Sequence, residues 1–528
     1  MEYYIKFVSL ICTLYAFIHI IAFNLLHKNT KSPKLPPGPP CYPLIGNRLQ
    51  LGPSKLHQTL AKLSKTYGPI MTVKIGTITT MVISSAKIAK EALHKNDQVL
   101  SNRFVPQSVQ ALSHDKASPI FMPISPKWKT LRKICATKIF SSQQLDSTQI
   151  LRLRKLKELV VYLQENCRKG KPIDIGEVAF TISLNSISNT LFSIDLASFT
   201  SCSSQKFRHI ISSMLIDSSK PNIADYYPIL RKIDPQGVRR RMRSHYHKLL
   251  TLFESIVEDR TNGKEDSTME RSDVLDSFLE IIQKENPELT LHDVLHLFLV
   301  KIELNSTKLL NNILIIPHFV VASHIMWQDL FVAGIDTTSA TIEWAMAELL
   351  QNPEKLKKTR NELQQVINKD EEPKDSDINK LPYLQAVVKE TLRLHPTAPI
   401  LVRKSGSEAD LCGFRVPKDT LVLVNVWSMG RDSSIWTDPN LFLPERFLES
   451  GEEFIGEDFG FIPFGAGRRM CSGVPFAHRV VHTMLATLLY HFDWKLADGE
   501  KIEDMDMTEK FGTTLHKVKP LMVIPVEE

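Results

Sequence analysis

The stretch FGAGRRMCSG, residues 464–473, sets one thiol in a loop crowded with glycine and arginine. Arg468 and Arg469 beside Cys471, and an expected helix starting near 475, favour the thiolate over the thiol. A thiolate is a strong, soft ligand for iron. Phe464 can cover the sulfur, Gly467 and Gly473 permit tight turns and close approach of a flat ring, and Arg469 can pair with a carboxylate. Loop amides would hydrogen-bond the sulfur and tune its donor strength.

The other six cysteines, Cys12, Cys41, Cys135, Cys167, Cys202 and Cys412, show no CxxC spacing and bring the total to an odd seven. That excludes a disulfide framework or a zinc ribbon and points to a reducing compartment. Gly465-x-Gly467 opens like a dinucleotide fingerprint, but Met470 stands where the third glycine belongs, and there is no GxxxxGK[ST]. Any redox chemistry here must therefore draw its electrons from another protein.

The 528 residues are 43% hydrophobic and 23% charged, an ordinary globular composition with neither repeat nor low-complexity tract. A net charge of +7 is mild and carries no basic block, which excludes a nucleic-acid groove reader. Alternation predicts strands over 68–85 and 420–429. Helical spacing dominates elsewhere, over about 86–95, 142–168, 240–262, 288–299, 329–351, 353–368, 381–395 and 475–492. The pattern implies a mainly α body with a small β portion around one continuous core.

Phe7 to Leu26 contains no Asp, Glu, Lys or Arg, and about 20 helical residues just span a hydrocarbon core. We read residues 1–27 as a membrane anchor, with a cleaved signal peptide as the competing reading. Lys28, Lys31 and Lys34 place the following bulk on the cytoplasmic side. Residues 28–47 form a basic, proline-rich hinge stiffened by Pro36, Pro37, Pro39 and Pro40, and residues 48–528 form the main domain.

Phe464-x-x-Gly467-x-Arg469-x-Cys471-x-Gly473 is similar to the haem-binding loop of the cytochrome P-450 monooxygenases. The resemblance covers nearly the whole chain and implies that family's fold, preceded here by one N-terminal transmembrane helix. It implies haem b as cofactor, with Cys471 as axial ligand to the iron. AGIDTT at 333–338 resembles the oxygen-activating stretch of the family's central helix, in which Ala333 and Gly334 leave room and Asp336 and Thr337 relay protons. Glu390 and Arg393 of ETLR, with Arg446 of PERF, resemble the lock that braces the haem loop; their role would be structural. Trp128 and Arg132, four apart, and Arg403 resemble contacts to the haem propionates, joined by Arg469. Val402 and Ser472 stand where relatives usually carry proline, which leaves the ligands intact and alters loop stiffness.

The closest texture is that of the plant subfamily of geraniol hydroxylases and terpenoid oxidases, through stretches such as NRFVPQSVQALSHDK and MTEKFGTTLHKVKPL. This implies a small lipophilic substrate, a terpenoid such as a monoterpene alcohol or a diterpene, with Phe104, Ala333, Ala398, Ile400, Leu401 and Thr513 lining its pocket. It further implies an NADPH-dependent flavoprotein reductase as partner and a single-pass place in the endoplasmic reticulum membrane, catalytic domain on the cytosolic face.

Residues 300–328, 29 in all, interrupt the expected run from HLFL (296–299) to DLFVAG (329–334). Pro317 would break a helix there, and the segment has no core position to pack against. We read it as a retained intron: every Val codon begins GT, a Gln codon can end AG, and 29 codons preserve the frame. The competing reading is a lineage-specific loop. If the insert displaced the central helix, the protein would be a catalytically inactive haem-binding pseudoenzyme. A distant alternative is a zinc hydrolase built on HDVLH, residues 292–296, although Asp293 stands where such motifs need Glu; His478 and His482 repeat the spacing.

Overall fold

The computed structural model describes residues 35–52, 55–199, 202–261, 273–277, 316–368, 371–449 and 459–527, together with Thr13. The longer helices among these are α1 (Leu56–Tyr67), α2 (Pro126–Ile134), α3 (Gln149–Arg168), α4 (Ile175–Phe192), α5 (Cys202–Ser219), α6 (Val238–Thr261), α7 (Ile316–Gln351), α8 (Pro353–Val366), α9 (Pro382–Leu394) and α10 (Val474–His491). The strands are β1 (Ile70–Ile75), β2 (Ile78–Ile83), β3 (Ile173–Asp174), β4 (Ile400–Lys404), β5 (Ala409–Leu411), β6 (Phe414–Val416), β7 (Leu421–Asn425), β8 (Asp493–Leu496), β9 (Glu509–Phe511), β10 (Leu515–Lys517) and β11 (Met522–Val526). One sheet has the order β1-β2-β7-β4, a second β3-β11-β8, and β5–β6 and β9–β10 are separate hairpins. The body is mainly α with a small β portion, as expected.

The anchor residues 1–27 and the lysines at 28, 31 and 34 fall, Thr13 apart, outside the described residues. Among the described residues no helix is long and apolar enough to cross a membrane. His292 and His296 also lie outside them.

Local chemistry explains where the elements depart from the sequence pattern. The alternating run over 68–85 folds back on itself at Gly76, at φ +61, so β1 and β2 pair antiparallel with Ile75 opposite Ile78. The second expected strand stops at Asn425, whose side chain accepts from the Ser428 amide at 3.2 Å and turns the chain into a short helix, Val426–Met429. The expected helix over 142–168 is two, Ser142–Ser147 and α3, parted at Thr148.

The central helix differs most from expectation. α7 begins at Ile316 rather than near 329, and Pro317 occupies its first turn, where a missing N–H costs nothing. The last residues of the atypical segment are core: Met326, Trp327 and Gln328 are buried. Trp327 stands edge-on to Phe192 at 4.9 Å and to Phe253 at 5.8 Å, stapling α7 to α4 and α6. The expectation that residues 300–328 could pack against nothing is thus overturned for their described end.

Candidate active site

α7 is buried from Met326 to Leu350 except at Val332, Ala333, Gly334 and Thr337. Ala333 and Thr337, one turn apart, are thus less buried than the rest of this core helix, and Thr337 lines a cavity. That cavity is lined by Thr337, Thr338 and Thr341 of α7, Pro463 and Phe464 of the cysteine loop, and Ala477 and Val481 of α10. The Thr337 hydroxyl donates to Ala333 O at 2.7 Å. Asp336, on the adjoining face, sits 3.1 Å from His516 Nε2. The register of this stretch is clamped at Asp329, which holds His114 Nε2 at 2.7 Å and Ser118 Oγ at 2.5 Å, all three buried.

The cysteine loop is built by its glycines. Gly467 has φ +68, and a Cβ there would meet Leu93 O at 2.4 Å and an Asp97 carboxylate oxygen at 2.6 Å, so only glycine fits. The Cys471 amide donates to Phe464 O at 3.0 Å and closes the loop. Burial pushes the Cys471 thiol up, against the Gly473 amide, the Arg132 charge and the Val474 amide, which pull it down. The expected preference for thiolate is outweighed in the protein by itself; a metal bound at the sulfur would favour the thiolate.

Four guanidinium groups gather beside the loop. Arg103 donates to Val402 O at 2.9 Å, Arg132 to Met470 O at 2.7 Å and Arg403 to Val402 O at 3.2 Å. Arg469 donates to Ser101 O at 2.8 Å, Pro119 O at 3.3 Å and Met122 O at 2.6 Å. Every one of these partners is a neutral carbonyl. Burial, then the charge of Arg132, pushes Arg103 down to about 10. Burial, then Arg103 and Arg132, does the same to Arg469, and Arg403 is lowered by burial and by Arg103 and Arg469. Arg103 Nε is buried with no partner. The nearby carboxylate, Asp97, is already paired with Arg468 at 3.1 Å.

The Trp128 indole N–H donates to Pro119 O at 3.0 Å, and its ring lies beneath Arg469 at 4.7 Å and Arg132 at 5.8 Å. Glu390 and Arg393 are wholly buried and bidentate, at 2.6 and 2.8 Å, with Arg446 Nε on the same carboxylate at 3.1 Å. Arg393 also donates to Gly430 O, Pro439 O and Leu441 O, fixing the segment that precedes the cysteine loop.

The residues expected around a substrate are spread more widely. Ile400 and Leu401 alternate in β4 and join different apolar clusters, Ile400 with Phe104 and Leu401 with Ala398. Leu401 Cδ1 lies 3.7 Å from where a Gly465 Cβ would stand, against the cysteine loop. Ala333 is exposed on α7, and Thr513 Oγ1 lies 3.1 Å from Ser218 Oγ of α5. The His478 and His482 rings lie tilted with centroids 4.3 Å apart, and burial drives His482 down to about 3.

A profile of the Cytochrome P450 family matches residues 36–300 and 324–523. The chain belongs to the cytochrome P450 family. As a cytochrome P450 monooxygenase it is 45% identical over all of its length and all of theirs to cytochrome P450 monooxygenase 76AD131 of Lophophora williamsii. It is 45% identical to geraniol 8-hydroxylase of Catharanthus roseus, covering 96% of each chain. It is 42% identical to drimenol monooxygenase of Persicaria hydropiper, covering 95% of this chain and 94% of that one. A zebrafish cytochrome P450 solved with progesterone shares the fold, with a TM-score of 0.71, 23% identity and coverage of 89% of this chain and 99% of that one.

The family implies a haem-thiolate cofactor, and the P450 site fits one. Phe464 of the cysteine loop and Thr337 of α7 line one cavity, and beside Cys471 the four arginines lack the anions that two propionates would bring. Arg103 and His516 escaped the sequence reading. Both lie in quoted stretches, yet neither carries a local signal: each is made by a partner far away in the sequence.

Proposed function

We propose that this cytochrome P450 inserts one oxygen atom from dioxygen into a small hydrophobic plant metabolite, a terpenoid, using electrons delivered by an NADPH-dependent flavoprotein reductase. The observation that carries the reading is a cavity lined both by Thr337 of α7 and by Phe464 of the Cys471 loop, together with the arginine cluster bonded to that loop. Haem, when bound, supplies the oxygen chemistry. Cys471 Sγ is its iron ligand. Arg132, Arg403, Arg469 and the missed Arg103 hold the propionates, while the Trp128 ring supports two of the guanidinium groups. Asp336 and Thr337 move protons at the Thr337 hydroxyl, and Glu390, Arg393 and Arg446 brace the loop.

The terpenoid class rests on the geraniol and drimenol relatives and on apolar walls at Leu401 and Ala398. The proposed single-pass anchor, residues 1–27, gains support from apolar side chains left in solvent on two touching segments. Leu49 is 73% exposed and Ile229 85%, and the Tyr227 hydroxyl joins the segments by donating to Leu44 O at 3.0 Å. The inactive alternative needs the insert to displace α7, and the buried Asp329 clamp speaks against it.

The test is the carbon monoxide difference spectrum of the reduced protein, which should show the red-shifted Soret band of thiolate ligation, lost in Cys471→Ser. With a plant reductase and NADPH, geraniol and drimenol should give products heavier by one oxygen. A thiolate spectrum with no oxygenation of any terpenol would overturn the substrate class, and absence of haem absorption would overturn the function.

A further inference from the structure

The hairpin β9–β10 bridges two parts of the molecule that the proposed reaction must coordinate. At its tip Thr513 Oγ1 lies 3.1 Å from Ser218 Oγ and donates to Leu215 O at 3.3 Å, tying it to α5. Just past the turn Leu515 accepts from Trp344 Nε1 at 3.0 Å through its carbonyl and donates its amide to Thr397 O at 3.1 Å. Lys517 Nζ lies 5.1 Å over the Trp344 ring. The residues on both sides of His516 are thus pinned to α7 or its neighbours, so the position of its imidazole is set by the frame.

That imidazole meets Asp336 at 3.1 Å. The His516 side chain is 36% exposed and that of Asp336 10%, so the pair spans the step from accessible surface to buried helix. We propose that His516 is a positioning residue for oxygen activation, holding Asp336 on the hairpin side of α7 and reloading it with protons taken from solvent. Resting on the proposed function, this deepens the role of Asp336. The step balances simply: the Nε2–H proton of the His516 imidazolium passes to Asp336 Oδ1, Asp336 passes one on toward the Thr337 hydroxyl, and His516 recovers its proton from water.

The charges around His516 suit the task. Asp336 and Glu343 approach it from α7, Lys510 faces it across the β9–β10 ladder, and Lys517 is its neighbour on β10, beside Glu343. Burial would lower His516, but Asp336 and then Glu343 outweigh burial and Lys510, and its ionisation moves above the ordinary histidine value of 6.5. The pair's contribution to stability is therefore complete below 6.5 and is lost as pH rises through the raised value.

Two variants separate charge from placement. His516→Gln keeps an N–H for Asp336 but carries no proton; His516→Ala removes both. We expect both to keep the thiolate carbon monoxide spectrum. In wild type, unfolding stability of the haem-loaded protein should fall as pH rises above neutrality, and this slope should vanish in His516→Gln and in Asp336→Asn. A double-mutant cycle should show coupling of about fivefold or more in the unfolding constant. With geraniol as probe and a plant reductase, product formed per NADPH should drop about tenfold in both His516 variants, with more hydrogen peroxide released. The alkaline limb of the kcat profile should disappear. A His516→Gln protein that retains the wild-type pH slope and coupling of NADPH to product overturns the inference and leaves the proposed function standing. Rescue of turnover by Gln at every pH overturns the proton role. A wild type without the thiolate spectrum overturns the function and this inference together.

Discussion

Arg403→Met tests whether the arginine cluster is built for an anionic cofactor rather than for the fold. Arg403 is 2% exposed, and its hydrogen bond goes to a carbonyl, Val402 O, that also accepts from Arg103 at 2.9 Å. Removing the guanidinium therefore leaves no orphaned acceptor. What it removes is an uncompensated buried charge. The scale of that cost is visible at Arg103, where burial and then Arg132 hold the group at about 10 against 12.5, equivalent to about 3 kcal/mol. Methionine fills similar apolar volume, so the haem-free protein should become more stable by about 2 kcal/mol. In the loaded protein the same change deletes a charge-assisted hydrogen bond of about 1.5–3 kcal/mol, and haem should leave about 10 to 100 times faster. Urea unfolding of the haem-free protein and haem transfer to excess apomyoglobin measure the two effects. Stability and haem retention changing with the same sign would refute the reasoning, because the cluster would then serve the fold directly.

Glu390→Ala strands Arg393 in a site with no accessible surface and should cost about 3–5 kcal/mol in denaturant unfolding, more than Arg446→Ala, whose guanidinium is partly exposed. Gly467→Ala drives a methyl into Leu93 O and Asp97 at positive φ; purified protein should show little or none of the thiolate Soret band, read by the carbon monoxide spectrum. Burial would raise Glu509, but bonds from His395 and His57 and the charge of Arg431 leave it far below the usual carboxylate range. Its contribution is present above the ordinary value near 4.5 and falls away as pH drops below it, so Glu509→Gln should flatten the acid limb of a stability profile.

The cysteine loop was legible in the sequence because its residue spacing is local, with Gly467, Arg469 and Cys471 at alternate positions, although the groups that Gly467 and Arg469 meet, Leu93 O and Ser101 O among them, lie far away in the chain. α4 was not legible, since Asn185, Ser188 and Thr190 read as polar while folding satisfies them nearby. Asn185 Nδ2 donates to Ala197 O at 2.7 Å, Ser188 Oγ to Ile194 O at 2.6 Å and Thr190 Oγ1 to Ser186 O at 2.8 Å, which lets a serine-rich helix be core. The sheet β3-β11-β8 pairs Val523 with both Ile173 and Leu496, and strands so short carry no alternation to read.

The arginine cluster shows what kind of information was missing. Arg103 and Arg403 meet because Lys404 N donates to Asn102 O at 2.8 Å, an antiparallel bridge that sets the residues beside its two ends against each other. Nothing in either segment announces that bridge. Once it forms, the same register aims Arg103 and Arg403 at Val402 O and crowds two positive charges beside an acid, Asp97, already paired with Arg468. Backbone pairing, which is indifferent to side chains, therefore imposes a charge conflict that the chain alone leaves unrelieved. A site whose polypeptide is electrostatically incomplete is one for which an anionic cofactor completes the interior, which is why cofactor binding and stability should be inseparable at these positions.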